Sequence, residues 1–267
     1  MDQLRAAGSV FAEEEAELLL SAGGDAVALA SMVARRVAGE PVEAIVGWTS
    51  FCGLRTTVAP GVFVPRRRTE LLVREALRIV RYETHRDPQT DGALRNGLSV
   101  VVELCCGSAA VGAAILNGVG TSAGALELHV ADVDPRAAAC ARENVGGRGQ
   151  VHTGDLYDAL PGDLRGRIDL LVANAPYVPT SKIPLMPPEA RDHEPTVALD
   201  GGPDGLDVQR RIIGGSPEWL APDGRLLVET GRHQTAGTVA ACEAAGLVPR
   251  VVTDDGLDAT AVVGRRP

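Results

Sequence analysis

From Ser99 onward the chain alternates short apolar runs of strand length with small-residue or amphipathic stretches of helical length, and this alternation restricts the fold more than any other feature. Ser99-Val100-Val101-Val102-Glu103-Leu104 reads as a buried strand, followed by a helix of small residues. Leu126-Glu127-Leu128-His129-Val130-Ala131 reads as a second strand, and Pro135 opens the next helix with Asp134 as its cap. Gln150-Val151-His152 and Ile168-Asp169-Leu170-Leu171-Val172-Ala173 supply two more strands. A helix over 206–220 with Leu206, Ile213 and Leu220 inward leads to the strand Arg225-Leu226-Leu227-Val228-Glu229. A helix ending at Gly246 and strands over 248–253 and 259–263 complete the series. The expected class is α/β, a doubly wound sheet with an antiparallel hairpin at its end.

Upstream the pattern changes. Residues 1–47 read as a helical N-terminal region too small for a core of its own, with Asp25 capping a helix that turns Leu29, Met32, Val33 and Val37 to one side. Residues 48–66 read as a β-hairpin linker broken by Gly53 and Pro60-Gly61. The main domain then spans 67–267, entered by a helix from about Thr69 with Leu72, Ala76, Ile79 and Val80 at helical spacing. The stretch His85 to Asn96 is polar and aperiodic, the pattern of a mobile linker. Arg66-Arg67-Arg68 reads either as a solvated helix entry or as a contact for an acidic or RNA-bearing partner.

Composition narrows the function classes. A net charge of −9 argues against a protein that coats nucleic acid through its phosphates. Five cysteines, with Cys105 and Cys106 adjacent and no zinc-type spacing, suit reduced buried thiols, and no metal role is expected. No apolar run reaches the length of a membrane span, and Met1-Asp2-Gln3-Leu4-Arg5 lacks the form of a secretory signal, so a cytoplasmic location is expected.

The chemistry concentrates at two strand ends. Asn174-Ala175-Pro176-Tyr177 follows the apolar run 168–173 at once, so a carboxamide, a rigid turn and an aromatic ring stand at a strand's carboxyl edge. Such a set can receive a planar NH2 group and hold its nitrogen before an electrophile. The loop from Asn174 to Asp204 is long and carries seven prolines, the composition of a semi-rigid wall. Glu103, Cys105, Cys106, Gly107, Ser108 and Ala109 lie where the first strand meets its helix, where a nucleoside cofactor passes close to backbone. Only Gly107 and Gly112 are present there, which does not make the G-x-G-x-x-G cradle of a pyrophosphate. S-adenosylmethionine has no phosphate and needs only close approach and acidic groups. Asp132 and Asp134 compete for the ribose hydroxyls, and Asp132 is favoured because it ends the second strand while Asp134 already serves as a cap. Asp155 reads as an acceptor for the adenine amino group or as a turn aspartate next to Gly154, with Leu156 on the adenine face in the first case.

On these residues the chain resembles the HemK/PrmC-type protein-(glutamine-N5) methyltransferases. The resemblance runs through Gly39-Glu40-Pro41, Gly53-Leu54-Arg55, Pro60-Gly61-Val62-Phe63-Val64-Pro65-Arg66, Thr69-Glu70, Gly154-Asp155-Leu156-Tyr157, the tetrad with Val178-Pro179, 194–202 and 222–229. It implies a Rossmann-like class I S-adenosylmethionine-dependent methyltransferase sheet behind a helical region and a hairpin linker. It also implies an acceptor glutamine in the Gly-Gly-Gln motif of a class I peptide-chain release factor, received by Phe63, Pro65, Arg66 and the tetrad. The chain departs from the family at four places. Ala175 stands for the first proline of Asn-Pro-Pro-Tyr, Cys105 and Ala109 take the outer places of Gly-x-Gly-x-Gly, Arg67 and Arg68 replace Pro-Glu in Pro-Arg-Pro-Glu-Thr-Glu, and the helical region is short.

The expected reaction is an in-line attack of the acceptor nitrogen on a methylsulfonium. Asn174 would accept one N–H through its side-chain oxygen and the Ala175 carbonyl the other, with Tyr177 covering the amide plane. Two other readings fit the same residues: methyl transfer to a different protein amide, nucleobase amine or small molecule, and a cofactor-binding interaction module without turnover.

Overall fold

The computed structural model describes residues 1–82, 99–120 and 126–267, so the linker expected over 85–96 lies outside the described residues. Five parallel strands, β3 (Ser99–Leu104), β4 (Leu126–Asp132), β5 (Gln150–Thr153), β6 (Ile168–Ala173) and β7 (Leu220–Glu229), form the body of one sheet with β8 (Val248–Asp254) and β9 (Ala259–Arg265). Their order is β5-β4-β3-β6-β7-β9-β8, with β9 antiparallel to both β7 and β8. The expected terminal hairpin is therefore present.

The pleat explains how one run of apolar residues feeds two cores. Val101, Leu170, Val172 and Leu227 point to a layer shared with α5 (Glu70–Tyr82), α6 (Ala110–Val119) and α7 (Pro135–Val145). Val100, Val102, Leu171, Ala173 and Val228 point to the opposite layer, closed by Ile212, Ile213 and Trp219 of α9 (Asp207–Trp219) and Cys242 of α10 (Thr235–Ala244). Each buried Val, Leu or Ile side chain stabilises the fold by about 1.5–3 kcal/mol. Asp134 caps α7 as expected, its Oδ1 accepting the Arg136 amide at 2.8 Å.

The N-terminal region has more pieces than its periodicity indicates. It holds α1 (Asp2–Ala6), α2 (Ala12–Ser21), α3 (Ala26–Val37) and α4 (Val42–Val46), packed around Leu4, Leu19, Val42 and Ile45. Asp25 does cap α3, accepting the Val27 and Ala28 amides, but Val37 is exposed. The hairpin is shorter than 48–66: β1 (Trp48–Phe51) and β2 (Leu54–Thr57) turn at Cys52-Gly53, and 58–66 continues as irregular chain. Both turn residues have positive φ, the requirement of a two-residue hairpin turn. No helix among the described residues is long and apolar enough to cross a membrane.

Candidate functional site

The strand order reverses between β3 and β6, since β4 and β5 lie on one side and β7 on the other. Loops leaving the two strands diverge there and open a crevice at their carboxyl ends. A cleft of about 390 Å³ occupies this place, within the usual range for a small-molecule site. Its floor is the loop 103–108, one side is formed by residues 132–134 and 154–156, and the other by the tetrad, Phe63, Pro65 and Arg66. Every residue singled out from the sequence lines the cleft except Ala109, which is fully buried beneath the loop.

The loop's conformation explains its composition. Cys105, Gly107 and Ala109 have φ of 54°, 54° and 56°, so all three places of the family's Gly-x-Gly-x-Gly are left-handed turns. Two carry side chains that tolerate this backbone at a cost of about 1–2 kcal/mol each. Gly107 faces the cleft, and a Cβ there would meet no protein atom within 4 Å. Its amide donates to Asp132 Oδ2 at 2.8 Å, while Asp132 Oδ1 accepts the Asp134 amide at 2.9 Å. Asp132 is thereby aimed rigidly, each oxygen keeping a further lone pair, and burial raises its carboxyl above the ordinary range. Glu103 is 4% exposed, accepts the Gly112 amide at 2.8 Å, and burial pushes its carboxyl up to about 8. Burial also pushes up the Cys106 thiol, and the Cys105 thiol likewise, so neither is a thiolate nucleophile.

Leu156 holds a left-handed φ of 50° at the cleft wall. Asp155 is held by α9: its Oδ2 pairs with Arg211 Nη2 at 2.6 Å. Arg211 lines the cleft, and nothing in the local sequence of α9 signals that.

On the opposite side Asn174 donates its Nδ2 to Thr69 Oγ1 at 3.3 Å, and no bond is made to its Oδ1 or to the Ala175 carbonyl among the described residues. These are the two oxygens to which the tetrad's sequence reading gives the acceptor N–H bonds. The Tyr177 ring is beneath the Arg68 guanidinium, 5.9 Å from centroid to Cζ, and its hydroxyl donates to Glu229 Oε1 at 3.4 Å. Burial pushes that phenol up to about 12, so it stays protonated. Arg66 is not a solvated helix entry, because Nη2 reaches both oxygens of buried Glu194 at 2.6 and 2.7 Å. Arg67 is exposed, and Arg68 Nε is 3.8 Å from Glu229 Oε1.

The proline-rich loop is built as a wall. Val178 and Asp200 form a parallel bridge, with the Val178 amide on the Leu199 carbonyl at 3.0 Å and the Thr180 hydroxyl on Asp200 Oδ1 at 2.7 Å. Its two limbs are therefore tied together, and Met186, Pro195 and Val197 reach the cleft.

A release factor glutamine methyltransferase of Geobacter sulfurreducens is 35% identical to the chain over 238 residues, 88% of this chain and 76% of that protein. One of Streptomyces coelicolor is 36% identical over 225 residues, 84% and 71% of the two chains. The 4-amino-L-phenylalanine/4-methylamino-L-phenylalanine methyltransferase of Streptomyces pristinaespiralis is 36% identical over 224 residues, 80% and 69% of the two. No family model matches the chain. Among solved structures, the ribosomal protein L11 methylase of Lactobacillus delbrueckii subsp. bulgaricus shares the fold with a TM-score of 0.51 at 13% identity, over 79% of this chain and 84% of that one.

Proposed function

We infer the activity from one premise: the chain belongs to the family of release factor glutamine methyltransferases. It is an S-adenosylmethionine-dependent methyltransferase, and its acceptor is the side-chain amide nitrogen of a protein glutamine, that of the Gly-Gly-Gln motif of a class I peptide-chain release factor. The observation that carries this reading is the pair of unengaged oxygens, Asn174 Oδ1 and the Ala175 carbonyl, at the end of β6 across the cleft from Gly107 and Asp132.

The residues of the cleft fit the cofactor. Gly107 lets the methionine portion approach bare backbone, Asp132 offers lone pairs to the ribose hydroxyls, and Glu103, once ionised, answers a cation. Asp155 Oδ1 and Leu156 would meet the adenine amino group and face. When bound, S-adenosylmethionine supplies an electrophilic methyl group on a sulfonium. Cys105 and Ala109 do not argue for a module without turnover, since both hold the left-handed backbone that glycine adopts most readily.

A carboxamide nitrogen is a weak nucleophile because its lone pair is delocalised. Asn174 Oδ1 and the Ala175 carbonyl accept its two N–H bonds, which aims the lone pair and favours the positive charge that develops on nitrogen. Tyr177 covers the amide plane and excludes water, and Pro176 holds the turn. Such positioning is worth several kcal/mol of barrier. The replacement of the family's first proline by Ala175 leaves the carbonyl in place.

Intact-mass measurement of purified release factor after incubation with the enzyme and S-adenosylmethionine tests the assignment. One added methyl group on the motif glutamine is expected, and Asn174→Ala should remove it while cofactor binding by calorimetry persists. 4-Amino-L-phenylalanine, whose NH2 is also conjugated to a planar group, serves as the competing acceptor. Its methylation in place of the release factor would overturn the acceptor assignment and leave the cofactor assignment standing.

A further inference from the structure

One side chain outside the cleft is bonded to both of its walls. Asn144 of α7 is half-buried and does not line the cleft. Its Oδ1 accepts the Thr57 amide at 2.8 Å. Its Nδ2 donates to the Thr57 carbonyl at 2.9 Å and to the Ser108 carbonyl at 2.8 Å. Two carbonyls need donors and one amide needs an acceptor, so only one orientation of the carboxamide satisfies all three. Thr57 ends β2 and leads directly into the irregular chain 58–66, which brings Phe63, Pro65 and Arg66 to the acceptor side. Ser108 belongs to the loop 103–108 and lies between the left-handed residues Gly107 and Ala109.

The helix itself does not call for asparagine at this place. Asparagine is a poorer helix former than alanine, and α7 ends at Gly146, whose left-handed φ of 56° closes the last turn without Asn144. The bonds of Asn144 instead reach 87 residues back to the hairpin and 36 back to the loop. Each of those segments has other moorings, but on different partners. The Thr57 carbonyl also accepts the Cys140 thiol at 3.0 Å, and Val62 packs with Ala137 and Cys140, so the chain 58–66 is laid along α7. The loop is tied to β4, through the Gly107 amide on Asp132 and the Cys106 amide on the Ala131 carbonyl at 3.1 Å. Asn144 joins the two sets.

We propose that Asn144 is a positioning residue for both substrates, its carboxamide holding the acceptor-side chain 58–66 in place against the cofactor loop. Cofactor bound on the loop steadies Ser108, and through Asn144 it steadies the entry to the acceptor wall. The proposal rests on the reading of the cleft as shared by methyl donor and acceptor.

The first arm of the test needs no acceptor. In the full chain, S-adenosylhomocysteine, the demethylated donor, should slow hydrogen exchange of the Thr57 amide several-fold, although Thr57 does not line the cleft. In Asn144→Ala that amide should exchange faster and no longer respond to the ligand. Asn144→Asp separates the two ties. At neutral pH its carboxylate still accepts the Thr57 amide but offers Ser108 no donor, so protection should stay while the response disappears. No response in the wild type, or a response kept in either variant, overturns the proposal. The second arm separates positioning from packing. Asn144→Ala should weaken S-adenosylmethionine binding roughly tenfold by calorimetry and raise the KM of a release factor acceptor. Cys140→Ala removes the other tie to the Thr57 carbonyl and trims the packing under Val62, yet should leave the cofactor dissociation constant unchanged. Equal weakening in the two variants would mean a general loosening of α7 and overturn the proposal, as would unchanged cofactor binding in Asn144→Ala. Should the wild type methylate no release factor, the acceptor reading fails, and exchange and calorimetry still decide the role of Asn144.

Discussion

Arg66 Nη2 is 2.6 Å from Glu194 Oε1 and 2.7 Å from Oε2, so a residue leaving the hairpin segment holds one in the proline-rich loop. The Val64 amide adds a bond of 3.3 Å to the same carboxylate. Two walls of the acceptor side are joined at this point.

Removing the arginine should therefore cost both stability and acceptor binding. Arg66→Ala leaves the Glu194 side chain, 1% exposed, with only the Val64 amide. The loss should be about 2 kcal/mol, below that of a fully buried pair because the guanidinium is one-third exposed. Urea denaturation should show a lower midpoint at unchanged slope. The acceptor KM should rise while the cofactor dissociation constant holds.

Stability should fall with rising pH, and the Glu103 carboxyl contributes to that fall. Burial raises the Glu103 carboxyl from 4.5 to about 8, so the folded protein keeps a proton that the unfolded chain has already released. The contribution is complete below the unfolded value and is lost as the pH rises through 8. Each pKa unit is worth about 1.4 kcal/mol, which makes the loss a few kcal/mol. Glu103→Gln should flatten the pH dependence of the urea midpoint across the same window.

Glycine should be welcome at one place where it is normally harmful. Cys105 sits at a φ of 54°, and Cys105→Gly relieves a left-handed strain of about 1–2 kcal/mol while forfeiting side-chain packing and backbone entropy. The denaturation midpoint should stay level or rise. Ala131→Gly, in the extended chain of β4, should lower it by about 1 kcal/mol or more and serves as the control.

The Asp155–Arg211 pair should matter for cofactor binding more than for folding. Both side chains are about half exposed, so Arg211→Gln should change stability by less than about 1 kcal/mol. Asp155→Asn, which turns half of an acceptor pair into a donor, should weaken S-adenosylmethionine binding roughly tenfold. Calorimetric titration beside thermal unfolding separates the two effects.

Much of the scaffold was legible because it is written in local patterns. The runs 99–104 and 168–173 match β3 and β6 residue for residue, since a doubly buried strand needs an unbroken apolar stretch and ends where polarity returns. Asp25 and Asp134 were readable as caps because a side-chain oxygen two or three residues ahead of free amides can hardly do otherwise. The N-terminal helices were harder, since α1 and α4 are five residues each and too short to show a period.

The site divides along the same line. Residue types and strand ends alone were enough to bring the loop after β3 and the tetrad Asn174 to Tyr177 to one sheet edge, where both line one cleft. Only the tertiary structure decided how those residues are held. Arg66 on Glu194, Asn174 on Thr69, Arg211 on Asp155 and Tyr177 on Glu229 join positions 128, 105, 56 and 52 residues apart. Periodicity reports which face of its own element a side chain occupies. A hydrogen bond between distant segments depends on how the sheet has stacked them, and no local pattern encodes that.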